Sequence, residues 1–220
     1  MSNILDLAKA VSQFAIAGEG NVSVRDKNSF LIKASGTELS SLSNDDLVRC
    51  DFECNILDGN KKKPSMEVSF HAWILKTFPN INYVCHTHPT HTNKILCSGL
   101  VNDFAYKRLF PDQIVRNGIK SCVVPYATPG IELKNAIEKS IRKFILLNEY
   151  FPKLILLKNH GIITASTSVR EAIVSTLMCE KSAEIFIGAI MLNDIQFLTQ
   201  EQICAVDSDP SEKYRRSLIQ

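Results

Sequence analysis

Ile81-Asn82-Tyr83-Val84-Cys85-His86-Thr87-His88 is the stretch on which the fold turns. Ile81, Tyr83 and Val84 form a short apolar run rich in strand formers. Side chains of a strand alternate faces, so His86 and His88 point one way while Cys85 and Thr87 point the other. Two imidazoles side by side suit a first-row metal ion, most often zinc. The plain alternative is a pair of solvated histidines near a strand end, and the rest of the chain has to separate the two.

Before this strand, Pro64-Ser65 opens a helix through about residue 78, with Val68, His71, Ala72 and Leu75 on one stripe; Pro79-Asn80 stops it. Further upstream, residues 4–17 have helical periodicity that ends at Gly18 and Gly20. Residues 22–25 and 29–33 read as strands joined by a turn at Asp26-Lys27-Asn28, and 48–52 and 54–57 as further strands. Ser43-Asn44-Asp45-Asp46 opens a short helical turn. After the paired histidines come a helix over 89–97, a strand over 119–124 and, past Pro129-Gly130, a helix over 131–149. A buried strand, 154–157, ends at Lys158-Asn159-His160-Gly161, and a long helix covers 168–191. Residues from about 200 to 220 are polar and read as a loosely held tail of a single domain spanning 1–220. The mixture predicts an α/β layered fold with a largely antiparallel sheet.

The bulk properties exclude several classes. Of 220 residues, 45% are hydrophobic and 22% charged, ordinary for a globular domain. Twenty-five basic against 23 acidic residues leave a net charge of +2, dispersed along the chain, so there is no electrostatic case for nucleic acid. Lys61-Lys62-Lys63 follows Asp58-Gly59-Asn60 and reads as the solvated tip of a turn. Seven cysteines, an odd number with no Cys-x-x-Cys pair, argue against a disulfide framework and for a reducing compartment. The start of the chain lacks a basic region followed by an apolar core, and no apolar run approaches the roughly 20 residues needed to span a bilayer. A cytoplasmic protein without membrane contact is the expectation.

Zinc needs a third and usually a fourth ligand, and the five histidines are 71, 86, 88, 91 and 160. His160 follows a buried strand, a common position for functional side chains. His91 reads as a surface residue and His71 as a hydrogen-bonded packing residue. Glu67, in the first turn of its helix, is either a dipole-complementing acid or a ligand and general base. The glycine-containing loops Gly18-Glu19-Gly20-Asn21-Val22-Ser23 and Ala34-Ser35-Gly36-Thr37, together with Ser65, are either simple turns or a phosphate cradle.

Taken in order, Gly20-Asn21-Val22-Ser23-Val24-Arg25, Leu31-Ile32-Lys33-Ala34-Ser35-Gly36, Pro64-Ser65-Met66-Glu67 with His71, His86-Thr87-His88 and Asn159-His160-Gly161 resemble the class II aldolase/adducin family over about residues 4 to 200. Each piece is weak alone; the ordered set is specific. The resemblance implies a central, mostly antiparallel sheet with helices on both faces, in three layers. It implies a zinc site of His86, His88 and His160, completed by Glu67 or releasing it to act as base. It places phosphate binding at Gly20, Asn21, Ser35, Gly36 and Ser65, and implies a homotetramer with sites between subunits. Met66 stands where the family's phosphate aldolases usually carry a second serine, Pro129 stands where an aromatic residue is usual, and 108–113 also departs. These changes point to a different substrate or a separate branch of the family.

The leading expectation is a zinc-dependent aldolase acting on a small phosphorylated ketose or sugar acid. Zinc would serve as Lewis acid for the enediolate formed on carbon–carbon cleavage, and Glu67 would shuttle the proton. Ligating histidines must be neutral, so activity is expected to fall below roughly pH 6. Epimerase, dehydratase and decarboxylase chemistry stay open, distinguished by a second acid or base for which Tyr106, Tyr126 and Tyr214 are candidates. Lys158 near His160 is the candidate for Schiff-base chemistry and reads as structural. A non-catalytic adducin-like interaction domain is the alternative of another class, disfavoured because a scaffold does not need Glu67, His86, His88 and His160 together.

Overall fold

A computed structural model describes residues 4–57, 59 and 61–219. Seven strands form one sheet: β1 (Asn21–Asp26), β2 (Ser29–Lys33), β3 (Leu47–Cys50), β4 (Tyr83–Thr87), β5 (Cys122–Val124), β6 (Leu154–Leu157) and β7 (Gly161–Ser166), in the order β3-β2-β1-β4-β7-β6-β5. Every neighbouring pair is antiparallel except β5–β6, which is parallel. The expected three-layer architecture is therefore present.

The two faces follow from strand alternation. On one face Val84, Ile163, Ala165, Ile155 and Leu157 pack with Phe70, Trp73 and Ile74 of α2 (Val68–Thr77) and Leu133, Ile137 and Ile141 of α6 (Ile131–Asn148). On the other, Val22, Val24 and Cys85 meet α1 (Ile4–Val11) and the start of α7 (Val169–Met191). Leu154, Leu156 and Ile162 meet Ala183 and Phe186 of α7, with α3 (Thr90–Leu96) and α4 (Val101–Tyr106) beside them. Each fully buried aliphatic side chain contributes about 1.5–3 kcal/mol. In β4, the residues after Val84 repeat the pattern: His86 shares the α2 face, edge-on to Phe70 with ring centroids 5.8 Å apart.

Several expectations need correction. The central strand β7 is absent from the elements that periodicity predicts; its residues are all buried, so no polar alternation marks it. Residues 54–57 form no strand, only a bridge between Cys50 and Ile56, because Cys54 adopts a positive φ of 69° that breaks the extended chain. α2 starts at Val68 rather than at Pro64, since Ser65 N–H donates to Lys33 C=O (3.1 Å) and holds 64–65 against β2. Residues 101–106 and α5 (Pro111–Asn117) are helical. The polar C-terminus is not loose: α8 (Gln200–Ser208) and α9 (Pro210–Ser217) lie on α5, with Ile203 and Ile219 buried and Arg215 paired to Asp112 at 2.9 Å. Among the described residues no helix is long and apolar enough to cross a membrane. Asp58 and Asn60, part of the expected turn before the lysine run, lie outside the described residues.

Candidate metal centre and anion pocket

β4, the β6–β7 turn and the start of α2 converge on one point. His86 is fully buried, and its Nδ1 lies 2.8 Å from the Ile162 carbonyl of neighbouring β7. A carbonyl only accepts, so Nδ1 carries the proton and the Nε2 lone pair faces the site. His88, one residue beyond β4, places its Nε2 3.0 Å from His86 Nε2. His160 sits in the turn that joins β6 to β7, its carbonyl held by the Asn93 amide of α3 at 3.0 Å. One ligand nitrogen from each of the three lies within 4.8 Å of the others. Nitrogens on a tetrahedral zinc at 2.0–2.1 Å are roughly 3.3 Å apart, so these spacings suit such an ion after small adjustments.

Glu67 occupies the N-cap position of α2 but makes no cap hydrogen bond. Its carboxylate turns to the histidines instead. Oε2 lies 3.2 Å from His86 Nε2, and Oε1 lies 3.4 Å from His160 Nε2. Oε1 is buried and has no hydrogen-bond partner. Burial pushes the pKa of His86 down to about 4, and burial together with His86 pushes those of His88 and His160 down as well. All three imidazoles are neutral at neutral pH, the form in which histidine can bind a metal.

Two glycines make this approach feasible. A Cβ at Gly161 would lie 2.5 Å from both His88 Cδ2 and the Thr87 carbonyl oxygen. At Gly20, where φ is +67°, it would lie 2.9 Å from the His86 carbonyl oxygen.

Beside the histidines opens a cavity of about 230 Å³ lined by Gly18, Glu19, Gly20, Lys33, Ser35, Gly36, Ser65 and Met66, among others. Lys33 is 2% exposed and donates to the Gly18 carbonyl at 2.9 Å. Burial lowers its pKa, and Asp46 and Glu67 raise it back in part.

The sequence profile of the class II aldolase and adducin N-terminal domain matches residues 7–187. The chain belongs to the class II aldolase and adducin family. Within that family it is 32% identical over 86% of its length to 3-oxo-tetronate 4-phosphate decarboxylase of Haemophilus influenzae, covering 86% of that protein. It is 30% identical to an L-fuculose phosphate aldolase of Methanococcus maripaludis, over 79% of this chain and 87% of that one. The solved structure of an L-fuculose 1-phosphate aldolase shares the fold, with a TM-score of 0.80 at 21% identity, covering 97% and 94% of the two chains.

The residues singled out from the family resemblance fare differently. His86, His88, His160 and Glu67 come together, and Gly20, Ser35, Gly36 and Ser65 all line the adjoining cavity. Asn21 lines the cavity as well, but its side-chain amide is not a free phosphate donor. Both amide hydrogens are committed, to Glu67 Oε2 at 2.8 Å and to Ser65 Oγ at 3.1 Å. The Ser35 N–H is also spent, on the Lys63 carbonyl at 2.9 Å, which leaves its hydroxyl. Met66 is exposed at the rim, and Pro129 joins the lining. His71 is buried in hydrogen bonds as expected, while His91 is held by Glu180 at 2.9 Å rather than standing free. Tyr106, Tyr126, Tyr214 and Lys158 line no part of this cavity. Lys33 and Glu19 line the cavity although motif and spacing alone do not single them out. The available signals are a lysine between Ile32 and Ala34 on a buried strand and an acid between two glycines.

Proposed function

We propose that this chain is a zinc-dependent carbon–carbon lyase acting on a small phosphorylated ketose or related sugar acid, with aldol cleavage as its leading reaction. The observation that carries this reading is the buried, unpartnered Oε1 of Glu67 beside three neutral imidazoles. A buried carboxylate oxygen without a donor is costly, and a cation at that point removes the cost. His86, His88 and His160 would hold the ion, with Glu67 completing the set or withdrawing from it. Bound there, zinc supplies a Lewis acid for a substrate carbonyl and its neighbouring hydroxyl.

The remaining work falls to the chain's own groups. Lys33 supplies a fixed positive charge, and Ser35 and Ser65 supply hydroxyls, for the phosphate in the cavity. Gly20 and Gly36 let the anion approach the backbone. When the carbon–carbon bond breaks, its electron pair stays on the carbon next to the carbonyl. Glu67, having taken up a proton from solvent, gives it to that carbon, while the hydroxyl proton of the departing aldehyde passes to a base across the pocket and from there to solvent. We place that base on a neighbouring subunit of a cytoplasmic homotetramer, with Tyr106, Tyr126 and Tyr214 as candidates because each lies outside its own chain's cavity.

Decarboxylation of a phosphorylated 3-oxo acid is the second reading, favoured by the 32% identical relative. There the carbon loses CO₂ instead of an aldehyde and takes the same proton from Glu67. Metal analysis of purified wild type and of a His86→Ala/His88→Ala variant tests the shared part. Near-zero zinc in the wild type, with no turnover after zinc is added, would sink both readings. Given zinc, phosphorylated ketoses are screened for dihydroxyacetone phosphate plus aldehyde, and 3-oxo-tetronate 4-phosphate for CO₂; the co-product decides between them.

A further inference from the structure

We infer that Ser23, His71 and Asn21 form a buried positioning chain that aims the Glu67 carboxylate at the metal centre. The inference rests on the reading of Glu67 as the proton carrier. Ser23 and His71 are fully buried and Asn21 is 3% exposed, between β1 and α2. Asn21 lies opposite His86 in the β1–β4 register, so the strand that carries the chain is hydrogen-bonded to the strand that carries a ligand.

Each contact has a direction. The Glu67 carboxylate accepts, so the Asn21 Nδ2 group donates to Oε2 at 2.8 Å. That fixes the amide with Oδ1 toward His71, where it contacts Nε2. An amide oxygen only accepts, so the proton of the neutral His71 ring is on Nε2. His71 Nδ1 then accepts from the Ser23 hydroxyl at 2.7 Å. Donors run one way, from Ser23 through His71 and Asn21 to Glu67. The second Nδ2 hydrogen goes to Ser65 Oγ at 3.1 Å, which ties the carboxylate to the wall of the anion pocket.

The chain pins one oxygen of Glu67 and leaves the other without a partner, facing His160. A network that served packing alone would end on a satisfied group, because unpaired buried acceptors are costly. Here the cost is placed at an oxygen that faces the histidine cluster. His71 is itself fixed by stacking on Phe70, with ring centroids 4.5 Å apart. Its contribution is the direction in which Glu67 points.

The test has a structural arm and a kinetic arm. Nitrogen-15 NMR of the zinc-loaded protein should show a His71 ring protonated at Nε2 and bare at Nδ1; a proton on Nδ1 would overturn the chain whatever the protein catalyses. For kinetics, Asn21→Ala and Ser23→Ala are compared using whichever screened substrate the wild type turns over. Outer partners of this type are worth about 10–100-fold, expected here in kcat with KM little changed. In a Glu67→Gln background, Asn21→Ala should cost no further kcat. Losses that add, or that appear in KM or urea midpoint alone, identify a structural network and overturn the inference. A wild type that turns over none of the substrates counts against the proposed function, and the position of the His71 proton then decides for or against the chain by itself.

Discussion

Replacing Gly161 with alanine places a methyl group in the narrowest gap of the site. Its Cβ would lie 2.5 Å from His88 Cδ2, 2.5 Å from the Thr87 carbonyl oxygen and 3.3 Å from His86 Cε1. Carbon atoms pack at about 3.5–4.0 Å, so the overlap is roughly 1 Å on two sides. The His88 ring can turn away; the Thr87 carbonyl belongs to the backbone of β4 and cannot move alone, because Thr87 is paired with Ile162 of β7. Relief requires β4 and β7 to part at the end that carries all three histidines. Overpacking of this kind costs about 1–3 kcal/mol, less the 0.5–1 kcal/mol or so that alanine gains over glycine in the chain interior. The urea midpoint of the metal-free variant should therefore drop by about 0.6 M, taking a net loss of about 1.2 kcal/mol and an m-value of about 2 kcal/mol/M. Metal sites tolerate about 0.2 Å of ligand displacement, so zinc affinity should fall at least about tenfold, measured by competition with a chromophoric chelator. Gly188→Ala on α7, where nothing lies within 4 Å, is the control and should stabilise slightly. If Gly161→Ala leaves both the metal-free midpoint and the zinc affinity at wild-type values, the close approach of β4 and β7 is not what shapes the site.

Three further outcomes are expected. Glu67→Gln should lower kcat about 10²–10⁴-fold while three histidines keep zinc bound; a fall below tenfold refutes a proton-carrying Glu67. Lys33→Met should raise KM for phosphorylated substrates about 10–100-fold, as loss of a charge-assisted hydrogen bond worth about 1.5–3 kcal/mol, and leave unphosphorylated analogues unaffected. Acid should destabilise the metal-free protein. The pKa of His86 is held at about 4 by burial against 6.5 in the unfolded chain, so between those values the unfolded state binds the extra proton. Stability is full above pH 6.5 and falls by about 3 kcal/mol for this residue as pH drops to 4, with His71, His88 and His160 shifted in the same direction. Urea unfolding at pH 7, 5.5 and 4.5 reads this directly, and equal midpoints would refute it.

How far the sequence is legible depends on which force sets each feature. β4 can be read because a run of strand formers ends in two histidines at strand spacing, although both of its faces are buried. β7 cannot, since Ile162, Ile163, Thr164 and Ala165 are buried on both faces and show no alternation. The histidines are legible as rare residue types, but nothing local tells that His160 meets His86; the hairpin from β6 into β7, laid beside β4, does that. Lys33 is invisible as a site residue because an isolated lysine on a strand ordinarily points to water. Asn21 stands out in sequence only as a loop donor; its commitment to Glu67 depends on α2 starting where Ser65 is held by β2, a tertiary contact. The C-terminal helices bury little beyond Ile203 and Ile219, too faint a stripe to register as periodicity.

The same alternation that builds the core also aims the site. Val84 and His86 share the α2 face of β4, and Cys85 lies on the opposite face against α7. A one-residue slip of β4 would exchange the two sets, sending His86 into the apolar layer beneath α7 and Val84 out of the layer beneath α2. Val84, Ile163, Ile155 and Leu157 together contribute about 6–12 kcal/mol, enough to offset the roughly 3–9 kcal/mol of holding three neutral imidazoles out of water. The register is therefore fixed by residues that do no chemistry, and the histidines inherit their positions from it. Glu67 is placed in a different way, from the N-cap of a helix whose start is set by a hydrogen bond to β2. Ligands fixed by a rigid sheet, and a carboxylate fixed by side-chain hydrogen bonds, are what a site needs if the metal is to stay put while one acid moves a proton.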